Sequence, residues 1–219
     1  MWDKLKEQFN LLKLEKKKLC LITNSDKFKS KDEFLDTIAS ALQGGVDVVM
    51  LRETIHPDNV IVEIASKIRI LCDEYNATFI VNNRPDIAML TEADGVHLGQ
   101  KDITPHDARK ILGENAIIGK STHNPEEVIN AINEGVDYIT FEPIAKNQKI
   151  TEEYISWVNE NIDIPVFLAG EINKKNINNI IQNGTKKVAL TNAIMYAKIP
   201  EDIARKIFNS LPKIKKKEL

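Results

Sequence analysis

Short runs of β-branched and apolar residues alternate along this chain with longer amphipathic stretches, and the alternation is regular from residue 19 onward. The short runs predict strands at Leu19–Thr23 ("LCLIT"), Val46–Arg52 ("VDVVMLR"), Thr78–Asn82 ("TFIVN"), Gly95–Leu98 ("GVHL"), Ala116–Lys120 ("AIIGK"), Tyr138–Phe141 ("YITF"), Pro165–Ala169 ("PVFLA") and Lys187–Leu190 ("KVAL"). Between them lie helical segments with recognisable starts. Thr104 precedes Pro105 with Asp107 three residues after the cap, and Asn124 precedes Pro125 with Glu127 in the same place. Each combines an N-cap, a proline at the first helical position and an acidic first turn. Glycines in "QGG", "NEG" and "QNG" close helices, where a left-handed conformation suits them. Eight β-then-α units in about 200 residues predict a closed (β/α)8 TIM barrel. An open doubly wound sheet would carry a G-x-G-x-x-G loop after its first strand, and none is there.

The ends of the chain fall outside this rhythm. Trp2, Leu5, Phe9 and Leu12 recur at helical spacing, which predicts an extra N-terminal helix over residues 1–17, packed outside or beneath a barrel domain of residues 18–212. Residues 213–219 read as a solvated basic tail. The N-terminus has no apolar run ahead of a small-residue cleavage site, so a secretory signal is not expected.

Composition changes the picture mainly by exclusion. With 219 residues, 42% hydrophobic and 28% charged, the chain can bury one sizeable core. The 30 basic residues nearly cancel the 32 acidic ones, so nothing in the overall charge favours nucleic acid or an anionic membrane as partner. Any anion site must be local. No stretch approaches the roughly 18 apolar residues of a membrane span. Cys20 and Cys72 give neither a disulfide framework nor a zinc spacing, which fits a cytoplasmic location. Whether the chain forms a homo-oligomer is left open.

In a barrel of this kind chemistry sits at the C-terminal ends of the strands, and that rule filters the polar residues. It retains Arg52, Glu53 and Thr54 after the second strand, Asn82, Asn83 and Arg84 after the third, and His97, Gln100 and Asp102 after the fourth. Ser121 and His123 follow the fifth, Glu142, Lys146 and Lys149 the sixth, Gly170 and Glu171 the seventh, and Thr191 and Asn192 the eighth. Cations, amides and hydroxyls converging with a carboxylate are how a site holds phosphate or pyrophosphate together with Mg2+. The loops after strands seven and eight, "LAGEI" and "LTNAI", stand where barrels often hold a phosphate on helix N-terminal amides. Among the histidines, His97 on an apolar strand reads as a satisfied core residue, and His56 and His106 as surface residues beside helix starts.

The segments "VMLRET", "VNNRPDIAML", "ADGVHLGQKD", "GKSTH", "GVDYITFEP", "IPVFLAGEI" and "KKVALTNAI" resemble, in order and spacing, the thiamine phosphate synthase family, which includes the related thiazole tautomerases. The match covers about residues 19 to 208, and "ADGVHLGQKD" is its most specific segment. The resemblance implies a transferase that joins aminopyrimidine methyl pyrophosphate to thiazole phosphate, giving thiamine phosphate and pyrophosphate. It implies that Arg52 and Asn82 hold the pyrophosphate, that Asp102 binds Mg2+ with Asn83 beside it, and that Ser121 bonds a phosphate oxygen. By the same resemblance Lys146 or Lys149 covers the leaving group, and backbone amides near Gly170, Thr191 and Asn192 hold the thiazole phosphate.

This chain also departs from that pattern. Thr54 replaces a lysine, Asn83 an aspartate, Met50 a glutamine and Glu171 a glycine, and the loop after the sixth strand is short. Each charge lost at the leaving-group site strengthens two alternatives. One is a thiazole tautomerase in which His123 moves the proton; His123 can equally be a residue that leads into the helix capped by Asn124. The other is a non-catalytic binder of phosphorylated ligands.

Overall fold

The computed structural model describes residues 14–142, 152–173 and 175–214. The predicted helix at Trp2, Leu5, Phe9 and Leu12, and the loop lysines Lys146 and Lys149, lie outside the described residues.

Eight parallel strands close into a barrel in chain order. They are β1 (Leu19–Ile22), β2 (Val48–Leu51), β3 (Thr78–Asn82), β4 (Gly95–Leu98), β5 (Ile117–Thr122), β6 (Tyr138–Phe141), β7 (Val166–Leu168) and β8 (Val188–Leu190). The described helices are α1 (Lys31–Gln43), α2 (Asp58–Glu74), α3 (Pro85–Leu90), α4 (Pro105–Leu112), α5 (Pro125–Asn133), α6 (Glu152–Asn161), α7 (Ile177–Gln182), α8 (Asn192–Met195) and α9 (Pro200–Ser210). The two predicted caps form: Thr104 Oγ1 accepts from the Asp107 N–H, and Asn124 Oδ1 from the Glu127 N–H. Gly45, Gly135 and Gly184 take the positive φ expected of helix-closing glycines.

Strand boundaries differ from the sequence-based expectation in three places of note. The ladder of β2 covers only Val48–Leu51, so Arg52 stands past its end. In β8 pairing begins at Val188, one residue after Lys187. β5 continues to Thr122, because Ser121 and Thr122 pair with Thr140 and Phe141 of β6.

Successive side chains on a strand point to opposite faces, and this sorts the core into two layers. Cys20, Val48, Met50, Ile80, Ile117, Tyr138, Phe167, Ala169 and Ala189 fill the barrel interior. Their neighbours, among them Leu21, Val49, Phe79, Val96, Ile118, Ile139 and Leu190, pack outward against the helices with Ile38, Ile64, Ile68 and Ala204. Each fully buried aliphatic side chain contributes about 1.5–3 kcal/mol relative to exposure.

The N-terminal face of the barrel is held by a repeated device. Asp47, Asp94 and Asp137 each stand one residue ahead of an even-numbered strand. Each carboxylate accepts a backbone N–H at the start of the preceding odd strand: Leu19 at 2.9 Å, Phe79 at 2.8 Å and Ile118 at 2.7 Å. Arg69 and Arg109 pair with Asp94 and Asp137 at 2.8 Å and 2.9 Å. Ahead of β8 the equivalent position is Lys187, which reverses the polarity: its ammonium donates to the carbonyls of Leu14, Glu15 and Lys17. That clip seats Leu14 in the barrel interior from below. Burial pushes the Lys187 ammonium down to about 8, with Asp47 opposing the shift. Among the described residues no helix is long and apolar enough to cross a membrane.

Replacing Asp137 by alanine strips the buried Ile118 N–H of its acceptor and leaves Arg109 without its carboxylate. We expect a loss of about 2–4 kcal/mol, seen in urea unfolding as a lower midpoint at unchanged slope. A midpoint within error of the parent protein would count against the device.

Candidate active site

The inward-facing positions of β2 to β6 carry the polar groups, and the register sets them side by side. Met50 pairs with Ile80, Asn82 with His97, His97 with Gly119, and Ser121 with Thr140. Arg52 has the same parity as Val48 and Met50 and leaves the end of β2 at the barrel mouth. Its backbone is tethered to the buried Thr23, whose hydroxyl accepts from the Arg52 N–H at 3.0 Å. The chain has five arginines, all among the described residues. Arg69, Arg84, Arg109 and Arg205 are ion-paired to aspartate or glutamate, while Arg52 forms no ion pair among the described residues. Arg84, the other rim arginine, is bound to Asp58 and Asp86, which hold it well above its ordinary value.

The loop after Arg52 is ordered by Glu53. Its carboxylate is buried, accepts the N–H groups of Thr54 and Ile55 at 2.9 Å each, and lies 3.3 Å from the His56 ring. Burial pushes this acid up, but Ser25, the Ile55 N–H and His56 together hold it below the usual carboxylate range. Thr54 is exposed.

The stretch "HLGQKD" turns tightly past β4. Asp102 Oδ2 accepts the Gly99 N–H at 2.6 Å, and the Asp102 N–H reaches back to the Gly99 carbonyl at 3.3 Å. A Cβ at residue 99 would sit 3.1 Å from that oxygen, a tight contact that a shift of a few tenths of an ångström in the carboxylate would relieve. The second oxygen of Asp102 has no hydrogen bond among the described residues. Gln100 bridges to β5 by donating to the Ser121 carbonyl at 2.6 Å. Asn83 takes a left-handed φ of 62° and donates its N–H to the His97 carbonyl, which leaves its side chain exposed at the mouth.

Beneath the rim lies a buried polar cluster. His97 is only 2% exposed; its Nδ1 lies 3.0 Å from the Tyr138 hydroxyl, and its Nε2 lies 2.9 Å from Ser121 Oγ and 3.3 Å from Thr140 Oγ1. Burial pushes the imidazole down to about 3 and raises the Tyr138 phenol, so both stay neutral near pH 7. His97 is thus a satisfied core histidine that also touches a rim residue. Tyr138 and Thr140 were absent from the residues retained by sequence, although the period-two alternation of "YITF" with Ser121 on the neighbouring strand would have pointed them inward.

The remaining candidates divide. His123 Nδ1 lies 2.8 Å from Glu127 Oε2, which also accepts the His123 N–H at 2.9 Å, so the residue is bound into the start of α5. On the β7 side Gly170 adopts a φ of 122°, which favours glycine, and its carbonyl accepts from Ile172. Glu171 is exposed, with its carbonyl bonded to the Asn176 amide. Thr191 stands at the N-cap position of α8 without a side-chain cap bond, and the first N–H groups of that helix, those of Asn192 and Ala193, have no intrahelical acceptor.

Among the described residues no group of three or more His, Cys, Asp or Glu side chains could hold a metal ion. One free oxygen on Asp102 fits a Mg2+ that keeps its waters and is shared with substrate phosphates, and does not fit a resident all-protein cage.

Because folded His97 is neutral, the unfolded chain binds an additional proton between its ordinary value of 6.5 and about 3. Folding stability therefore falls as pH drops through that window, by at most about 1.4 kcal/mol per pH unit. Denaturant unfolding at about pH 7 and about pH 4.5 is expected to show a smaller acid loss in His97→Gln than in the parent protein. Equal losses would refute the buried neutral histidine.

Comparison with known proteins bears on the family and the fold. The family profile for thiamine monophosphate synthase matches residues 19–194. The thiamine-phosphate synthase of Prochlorococcus marinus (strain SARG / CCMP1375) is 40% identical over 207 residues, covering 92% of this chain and 58% of the relative. That of Nostoc sp. (strain PCC 7120 / SAG 25.82 / UTEX 2576) is 36% identical over 208 residues, again covering 92% of this chain and 58% of the relative. The chain thus spans little more than half the length of these curated relatives. The solved thiamine phosphate pyrophosphorylase from Pyrococcus furiosus superposes with a TM-score of 0.81 at 30% identity, covering 91% of this chain and 96% of that one. By the extent of these matches and the barrel that carries them, the chain belongs to the thiamine monophosphate synthase family.

Proposed function

We propose that this barrel is a transferase that joins aminopyrimidine methyl pyrophosphate to thiazole phosphate, forming thiamine phosphate and releasing pyrophosphate. The observation that carries the reading is the mouth between β2 and β5. There Arg52, with no ion pair among the described residues, stands with Asn82, Ser121 and the free oxygen of Asp102. A cation at the rim without a protein counter-charge is what an anionic ligand requires.

In the reaction the bond between the methylene carbon and the pyrophosphate oxygen breaks, and its electron pair leaves with the pyrophosphate. The lone pair of the thiazole nitrogen then forms the new C–N bond to the methylene carbon. No side chain has to take or give a proton in these two steps, so the protein acts by positioning and electrostatics. Arg52 binds the departing oxygens through its guanidinium, Asn82 and Ser121 fix the phosphate by hydrogen bonds, and Asp102 holds the loop that closes the site. Mg2+, bound through Asp102 with Asn83 beside it, would supply charge neutralisation of the pyrophosphate. Amides around Gly170, Thr191 and Asn192 would receive the thiazole phosphate, and Lys146 or Lys149 would cover the leaving group. With Thr54 in place of a lysine and Asn83 in place of an aspartate, Arg52 and Asp102 each carry a larger share of the electrostatic work.

What weighs against the tautomerase alternative is that the curated relatives named above are thiamine-phosphate synthases; the Glu127 contact engages only Nδ1 of His123. Two free, buried cysteines support a reducing, cytoplasmic setting.

The test is formation of thiamine phosphate from both substrates by purified protein, with and without Mg2+. We expect Mg2+-dependent product, a loss of about 10²–10³ in kcat/KM in Arg52→Met, and loss of the metal requirement together with most activity in Asp102→Ala. His123→Ala is expected to retain activity. A folded protein that yields no product under these conditions would overturn the reading.

A further inference from the structure

Ser121 can meet a ligand oxygen in two ways. Its hydroxyl can donate to it, or, with that proton spent elsewhere, it can only offer lone pairs that repel an anion. Which of these holds is decided inside the barrel. The Tyr138 hydroxyl is buried, and its one hydrogen-bond partner among the described residues is His97 Nδ1 at 3.0 Å. A buried O–H left without an acceptor costs about 1–3 kcal/mol. The Tyr138 proton therefore goes to Nδ1, and the single proton of the neutral imidazole resides on Nε2.

Nε2–H then donates to Ser121 Oγ at 2.9 Å, with Thr140 Oγ1 a longer second acceptor at 3.3 Å. The Ser121 hydroxyl, having accepted, keeps its own proton for the mouth. The opposite tautomer would strand the Tyr138 O–H and set the Ser121 and Thr140 hydroxyls in competition for one lone pair on Nε2.

Three further features hold this chain of donors in place. Gly119 makes room for it, since a Cβ there would lie 2.1 Å from Tyr138 Cζ and 2.6 Å from its hydroxyl oxygen. Gln100 pins the backbone of Ser121 from the other side at 2.6 Å. The Tyr138 ring is itself braced edge-on by Phe167, with ring centroids 5.9 Å apart.

We infer that Tyr138 and His97 are positioning residues that set the direction of the Ser121 hydroxyl, so that Ser121 meets a phosphoryl oxygen as a hydrogen-bond donor. The inference rests on the proposed reading only in taking Ser121 as a phosphate contact. It predicts a single tautomer in the ligand-free protein, which requires no turnover to observe.

The experiment is nitrogen-15 NMR of the His97 side chain combined with titration by inorganic pyrophosphate in the presence of Mg2+. In the parent protein His97 is expected as the Nε2–H tautomer alone. Tyr138→Phe, which keeps the ring in its slot over Gly119, is expected to give a mixture of tautomers and to weaken pyrophosphate binding about three- to tenfold, the range of one lost hydrogen bond. Ser121→Ala is expected to cost less in the Tyr138→Phe background than in the parent, because the two changes act through one hydroxyl.

A proton on Nδ1 in the parent protein would overturn the inference. So would an unchanged tautomer or unchanged binding in Tyr138→Phe, or full additivity with Ser121→Ala. If thiamine phosphate formation fails while the tautomer and the pyrophosphate cycle behave as expected, the proposed transferase reading falls and this inference stands.

Discussion

Closing eight strands into a barrel leaves an interior that side chains must fill, and any polar group placed there has to find its partners within it. In this protein the decisive contact of that kind is His97 between Tyr138 and Ser121. It depends on a missing side chain: the Tyr138 ring occupies the space that a Cβ on Gly119 would need. From that one packing fact follow the reach of the tyrosine hydroxyl to the imidazole, the seat of the imidazole under the rim, and the placement of Ser121 at the mouth. Asn82 is drawn into the same layer because β3 pairs with β4 at His97. The apolar floor below, formed by Cys20, Val48, Met50, Ile80, Ile117 and Phe167, seals the polar layer from the other end.

The two ends of the barrel divide the work between stability and chemistry, as barrels of this class do. At the N-terminal end charge is spent on structure. Asp47, Asp94 and Asp137 satisfy strand-start amides, and Arg69 and Arg109 are consumed in pairing two of those carboxylates. At the C-terminal end Arg84 is paired in the same way, with Asp58 and Asp86, but Arg52 is left without a carboxylate among the described residues. The contrast is visible on one strand. β4 begins next to Asp94, which caps Phe79, and ends in the loop where Asp102 caps Gly99 and keeps an oxygen free.

Of the departures from the family pattern that the resemblance implies, Thr54, Asn83 and Glu171 are exposed beyond strand ends, while Met50 is buried in the barrel interior. Against that pattern Thr54 removes a positive charge, Asn83 removes a negative one and Glu171 adds a negative one, so the rim becomes more acidic. Around these positions Glu53 orders the loop after Arg52, and Asn83 turns through a left-handed residue to bond the His97 carbonyl.

The order of elements was legible from sequence because its causes are local. Period-two and helical spacing, the Thr104 and Asn124 caps and the helix-closing glycines each act within a few residues, and the eight-strand barrel followed from their repetition. The residue types at the mouth were legible too, since the rule that chemistry sits at the C-terminal ends of barrel strands retains Arg52, Asn82 and Ser121. What could not be read was which of these groups touch. The extension of β5 to Thr122 needed the partner strand β6, and the commitment of His123 to Glu127 needed the geometry of a helix start. His97 and Tyr138 stand 41 residues apart in the chain and meet only because barrel closure and strand register bring them together over Gly119. Sequence by itself determined the elements and the chemical character of the rim; the tertiary structure decided the hydrogen-bond partners, because a contact across a closed barrel is set by register and packing, which no local pattern encodes.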